Sequence, residues 1–184
     1  MSLLRIIVAL VASTSTVYAQ TPPAFPSKPV RLIVPFPAGG PTDAAARLLQ
    51  PKLIESLGQP VILDNRAGAS TIIGTEAVAK SPPDGHVWLM TTSSIAINPA
   101  VHAKLPYDTV RDLAPVTLVL SNPFLLVTHP ALPVKNAAEL IRLARSKPGQ
   151  LMYPSSGVGS SNHLAGVQFS MMSGIDTLHI PYKG

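Results

Sequence analysis

The sequence predicts an α/β protein built on parallel sheets, and two observations carry that expectation. From Pro29 to Ser94, short β-branched runs alternate with helical stretches in a βαβαβ rhythm, the pattern of a parallel sheet covered by helices. The strand–loop–helix order then restarts near residue 124, which points to a second domain of similar construction. The resulting division is an N-terminal segment of residues 1–19, a first lobe of residues 20–123 and a second lobe of residues 124–184.

Val30-Arg31-Leu32-Ile33-Val34 reads as a buried strand, followed by the loop Pro35-Phe36-Pro37-Ala38-Gly39-Gly40. A helix runs from Pro41 to about Leu57, with Pro41 suited to its first turn and Gly58 to its stop. Pro51 has no N–H for the carbonyl of Arg47 and crowds it, so a kink is expected there. Val61 to Leu63 is the next strand, then come a loop Asn65 to Ser70 and a helix from roughly Gly74 to Lys80. Ser81 to Gly85 forms a turn before the strand Val87 to Met90 and the polar loop Thr91 to Ser94. In parallel sheets ligands bind beyond the carboxyl ends of the strands. The three loops that follow these strands should therefore share one edge.

Val116 to Leu120 and Phe124 to Thr128 look like further strands. Asn136 is placed to cap a helix Ala137 to Ser146, whose Leu140, Ile141 and Ala144 have helical spacing. A strand Leu151 to Tyr153, a Gly/Ser loop Ser155 to Ser161, a helix Asn162 to Ser173 ended by Gly174, and a strand Thr177 to Ile180 complete the series. That last strand has no following helix in the sequence to cover it, so the second lobe is expected to be incomplete as given.

The first residues bear on compartment. Arg5 is the only charge before Gln20; it precedes the apolar run Ile6 to Ala12, and Val17-Tyr18-Ala19 forms a small-x-small exit. This is the pattern of a secretory signal cleaved near Ala19, and the apolar run is about half the roughly 20 residues a membrane span needs. The mature protein is expected to be soluble and periplasmic. The chain has no cysteine, which excludes thiol catalysis, thiolate metal sites and disulfide scaffolding. Its net charge of +5 is scattered rather than clustered with aromatics, a surface that suits anionic solutes and gives little support to nucleic-acid binding.

Two loops carry candidate chemistry. Pro35 to Gly40 joins a buried strand to a helix, so its turned amides and the helix N-terminus can receive a carboxylate or phosphate. By spacing alone, a plain tight βα turn explains it equally well. Ser156-Gly157-Val158-Gly159-Ser160-Ser161-Asn162-His163 has the same setting with hydroxyls added, and Ser161 is a possible helix cap. Two such loops from two domains suit a cleft that closes on a ligand. Other motifs fail: Asn162 stands where a dinucleotide fingerprint needs Gly, and neither a phosphate-loop lysine motif nor a nucleophile elbow occurs. His86, His102, His129, His163 and His179 lack metal spacing; only His163, at a helix start facing the loop, is kept as a site candidate. Asp43, in a first helical turn, is assigned to the helix dipole and capping rather than to ligand. No cofactor is implied.

The sequence resembles the tripartite tricarboxylate transporter substrate-binding receptors, also called the Bug (Bordetella uptake gene) receptors. The matching stretches are Pro26 to Pro29, Leu32 to Asp43, Leu57 to Pro60, Asn65-Arg66, Gly74 to Ala79, Pro83 to Gly85, Ile97 to Pro99, Leu105 to Asp108, Ser156 to His163 and Pro181 to Gly184. The resemblance implies a type II periplasmic-binding-protein (Venus flytrap) fold of two lobes, with no enzymatic activity. It implies that Phe36, Pro37, Ala38, Gly39 and Gly40 with Gly157, Val158, Gly159, Ser160 and Ser161 grip a ligand carboxylate, largely through backbone amides and ordered water. Thr92, Ser93 and Ser94 would help line the cleft. The implied partners are a small carboxylate and the membrane permease subunits of a tripartite transporter, with the receptor a monomer. Ala67 stands where the family often has Pro, Ser70-Thr71 where Gly is frequent, and Gly166-Val167 where a pairing usually includes Glu. The competing reading is an exported α/β serine hydrolase using Ser160 or Ser161 with His163, which needs a base-activated serine and has no identifiable third member.

Overall fold

Val30, Leu32, Ile33 and Val34 are all buried while Arg31 alone in their run is exposed; a strand covered on both faces reads as such a near-continuous apolar run. In the computed structural model, which describes residues 24–121 and 123–182, this run is strand β1 (Val30–Val34). It pairs in parallel with β2 (Val61–Asn65) on one side and β3 (Val87–Leu89) on the other. Val30 lies opposite Val61, Val34 opposite Asn65, and Ile33 opposite Leu89. Because all three strands run the same way, the loops after them meet at one edge, as the alternation predicted.

Helix α1 (Pro41–Leu57) lays Ala46, Leu49, Leu53 and Leu57 against Val30, Leu32, Val34, Val61 and Met90. Burying each large apolar side chain contributes roughly 1.5–3 kcal/mol, so this small cluster is what holds the site's scaffold. Pro41 occupies the first turn, and Gly58, at φ +63°, closes the helix by donating its N–H to the Ile54 carbonyl at 3.0 Å. The helix continues as one element through Pro51. A single 3-10 turn (Ala69–Thr71) leads into α2 (Ile72–Ala79), and β3 is followed by α3 (Ser94–Val101). Sequence reading stopped at the polar loop Thr91 to Ser94 and missed α3, whose internal Pro99 argues against a helix by itself.

The second sheet holds β4 (Met152–Ser155) and β5 (Leu178–Pro181), parallel, with Met152 opposite Leu178 and Ser155 opposite Pro181. Helix α4 (Ala137–Ser146) precedes β4, and α5 (Ser161–Ser173) makes the crossover to β5. α4 starts as its sequence dictates. The Asn136 side chain accepts the Glu139 N–H at 3.0 Å, while the Glu139 carboxylate accepts the Lys135 N–H at 2.7 Å. Its Leu140 and Ala144 are buried. Two parallel sheets with covering helices are the α/β architecture that the alternation of strands and helices predicts.

One expectation fails. Val116 to Leu120 and Phe124 to Thr128 form no strand; Val116 is 90% exposed and Leu125 82%. Strand-forming residues become a strand only when a neighbour accepts their backbone hydrogen bonds, and no described segment pairs with either run. The export signal expected at residues 1–19 lies outside the described residues. No described helix is long and apolar enough to cross a membrane.

Candidate ligand-binding site

The loop after β1 is organised by one carboxylate. Asp43, 1% exposed, accepts the Gly39 N–H at 2.8 Å and the Arg47 Nε–H at 2.7 Å on one oxygen, and the Asn65 amide at 3.0 Å on the other. The Arg47 guanidinium, followed by the Gly39 amide, pulls its pKa from 3.8 down to about 2. Asn65, at the end of β2, also donates to the Phe36 carbonyl at 3.1 Å and so ties two loops together. Asp43 therefore shapes the loop rather than capping helix amides. The N-terminus of α1 has Gly40 at its cap position and no side-chain cap, which leaves its first-turn amides open.

The loop after β4 repeats the device with other chemistry. Gly159 donates its N–H to His163 Nδ1 at 3.2 Å, four residues on. Ser160, 5% exposed, caps α5: its hydroxyl accepts the His163 N–H at 3.3 Å and donates to the Gly157 carbonyl at 2.7 Å. The capping residue is thus Ser160, and Ser161 is the first helical residue, because the chain reaches extended geometry one position earlier than its serine pair suggests. His163 stacks on His179 with ring centroids 4.0 Å apart. His179 Nε2 in turn lies 2.5 Å from the hydroxyl of buried Ser155. Burial, then the neighbouring His163, pushes the His179 pKa below its usual 6.5.

At the end of β3, the Thr92 and Ser94 hydroxyls bond each other at 3.1 Å, and the Ser94 N–H reaches Thr92 Oγ1 at 3.4 Å. Ser94 is buried and Ser93 exposed. These hydroxyls are spent on starting α3.

The loops after β4 and β2 meet. Ser70 donates its hydroxyl to the Val158 carbonyl at 2.6 Å, and Asn98 of α3, fully buried, donates to the Ser70 carbonyl at 3.0 Å and to Thr71 Oγ1 at 3.3 Å. Among the described residues no hydrogen bond joins Phe36–Gly40 directly to Gly157–Ser161; the connection runs through the β2 loop. Phe36 and Gly40 are half-buried, whereas Pro37, Ala38, Gly39 and Val158 are exposed. Asn98 Oδ1, His102 Nε2 and Thr91 Oγ1 are buried without protein partners. Asn65, Asn98 and His179 were missed as organisers of the site, since nothing local marks them. Two surface concavities, lined by Leu126, Thr128, Val134 to Ala137 and Leu140, and by Pro99, Leu105 and Tyr107 to Val110, include none of the predicted site residues. Among the described residues no three His, Asp or Glu side chains gather as metal ligands.

Comparison with known proteins supplies the identity this geometry suggests. The sequence profile of the tripartite tricarboxylate transporter family receptor matches residues 45–184. The Bordetella pertussis protein BugT is 39% identical over 184 residues, covering 99% of this chain and 56% of its own. Among solved structures, R. palustris Rpa4515 with adipate is 38% identical with a TM-score of 0.82, over 87% of this chain and 54% of that one. MatC (Rpa3494) from Rhodopseudomonas palustris with bound malate is 30% identical with a TM-score of 0.76, over 87% and 55%. The chain thus spans about half the length of the relatives it matches. A parallel α/β fold with two strand-to-helix loops gathered by Ser70 and Asn98, and a match over most of its length, make this chain a member of the tripartite tricarboxylate transporter receptor family.

Proposed function

We propose that this protein is a periplasmic receptor that captures a small dicarboxylate and delivers it to the membrane subunits of a tripartite transporter, without catalysing a reaction. The observation that carries the reading is the open N-terminus of α1, behind Gly40 and beside a carboxylate already neutralised by Arg47. First-turn amides of Thr42 and Asp43 without side-chain caps are the groups a ligand carboxylate needs. Asp43 does not repel such a ligand, because its charge is taken up by Arg47, Asn65 and Gly39. The likeness to proteins solved with adipate and malate supports a two-ended acid as the class. The second carboxylate then falls to the Gly157–Ser161 loop at the start of α5, with Thr92 to Ser94 along the cleft. His163 supports the second loop from behind through Gly159.

On this reading the signal peptide is removed near Ala19, the lobes divide near residue 123, and the receptor acts as a monomer. The test is a thermal-shift screen of the full chain against C4 to C6 dicarboxylates and monocarboxylates of matched length. A ligand at 100-fold its dissociation constant stabilises by about 2.7 kcal/mol. Dicarboxylates shifting the transition while monocarboxylates do not is the expected outcome. No shift with any acid would remove the reading.

A further inference from the structure

Three consecutive non-glycine residues, Ala69, Ser70 and Thr71, have left-handed φ values of +46°, +52° and +76°. L-residues visit this region singly and at a cost, and such a run persists only where its surroundings over-determine it. Here one buried side chain bonds two of the three residues. Asn98 is fully buried and spends its amide on the Ser70 carbonyl and on the hydroxyl of Thr71. The twisted turn carries the Ser70 hydroxyl out of the first lobe to the Val158 carbonyl, 88 residues further along the chain. The receiving loop is shaped to admit it. A Cβ at Gly157 would stand 2.9 Å from Ser70 Oγ, and one at Gly159 would stand 2.6 Å from Val101 of α3. The two glycines therefore give clearance to Ser70 and to Val101 of α3.

We propose that the Ser70 hydroxyl is a clasp between the lobes, holding the Gly157–Ser161 loop against the first sheet's carboxyl edge, and so a positioning residue for ligand capture. A clasp that holds the two loops' surroundings together pre-orders the cleft, which reduces the ordering that ligand must impose. Breaking it weakens capture chiefly through faster release. The capture role rests on the dicarboxylate reading above; the clasp does not.

The chain has no cysteine, so Lys52→Cys on α1 and Met171→Cys on α5, both exposed positions, take paired nitroxide labels cleanly. Pulsed electron resonance then reads the distance between lobes in ligand-free full chain carrying Ser70, Ser70→Ala or Ser70→Gly. Glycine relieves the left-handed strain and alanine keeps it, but both lack the hydroxyl. The clasp predicts a narrow distribution for Ser70 and a broader, longer one for both variants. It also predicts adipate release about 2- to 12-fold faster in both, the worth of one neutral hydrogen bond. Unchanged distances in both variants, or a Gly variant that matches the parent while the Ala variant opens, would overturn it. A parent protein that ignores adipate would end the dicarboxylate reading and the capture role, while the ligand-free distances still decide the clasp.

Discussion

Asp43 accepts the Gly39 N–H at 2.8 Å from four residues further along the chain, and His163 accepts the Gly159 N–H at 3.2 Å across the same separation. Each of the two strand-to-helix loops is therefore held by a side chain from the first turn of its own helix. The glycine amides that sequence reading offered to a ligand carboxylate are already donated within the protein. Their glycines shape the loops, and of the two helices α1 is the one whose first turn has no side-chain cap.

Replacing Asp43 by Asn removes the charge that Arg47 pairs with and turns one of its two acceptor oxygens into a donor, and should lower the thermal midpoint at neutral pH. The sign with acid follows from the pKa, which folding holds at about 2 against an ordinary 3.8. Stability from this carboxylate is present above about pH 3.8 and is lost as pH falls through about 2. Calorimetry at pH 7 and pH 2 should show the gap between parent and variant closing. A gap of equal size at both would refute the assignment.

Gly159→Ala should cost more than Gly39→Ala, although both glycines have left-handed φ, +81° and +83°. At Gly39 an added Cβ meets nothing within 4 Å, leaving a backbone penalty of about 1–2 kcal/mol. At Gly159 the same atom lies 2.6 Å from Val101, adding overpacking of about 1–3 kcal/mol. Urea unfolding of the two variants ranks them, and equal midpoints would contradict the packing argument.

His179 should titrate below the ordinary 6.5, by burial first and then by the charge of His163. A depressed histidine pKa means that the unfolded chain binds the proton first. Stability is whole above about pH 6.5 and falls as the solution is acidified below it. Proton resonance of the His179 ring checks this directly, and a midpoint at or above 6.5 would count against it.

A fluorophosphonate probe should leave the protein unlabelled. The Ser160 hydroxyl is donated to the Gly157 carbonyl and caps α5, and Ser155, though beside His179, is buried. Activated-serine chemistry needs an accessible hydroxyl with an oriented base. Stoichiometric labelling at any of Ser155, Ser160 or Ser161 would revive the hydrolase alternative.

What the sequence determined by itself is local. The run Val30 to Val34, apolar apart from Arg31, the Pro41 and Gly58 ends of α1, and the Asn136 cap of α4 each depend on neighbours within a few residues, so periodicity and capping rules find them. The shared edge of the three loops follows too, because parallel strands leave no other choice. Tertiary structure alone decided the rest. The Ser155–His179 contact spans 24 residues, the Asn98–Ser70 bond 28 and the Ser70–Val158 bond 88; no local pattern encodes a partner at such separations. The same cause runs in reverse at Val116 to Leu120 and Phe124 to Thr128. Their composition favours strand, but a strand is a relation between two segments, and its hydrogen bonds exist only where a second backbone stands alongside.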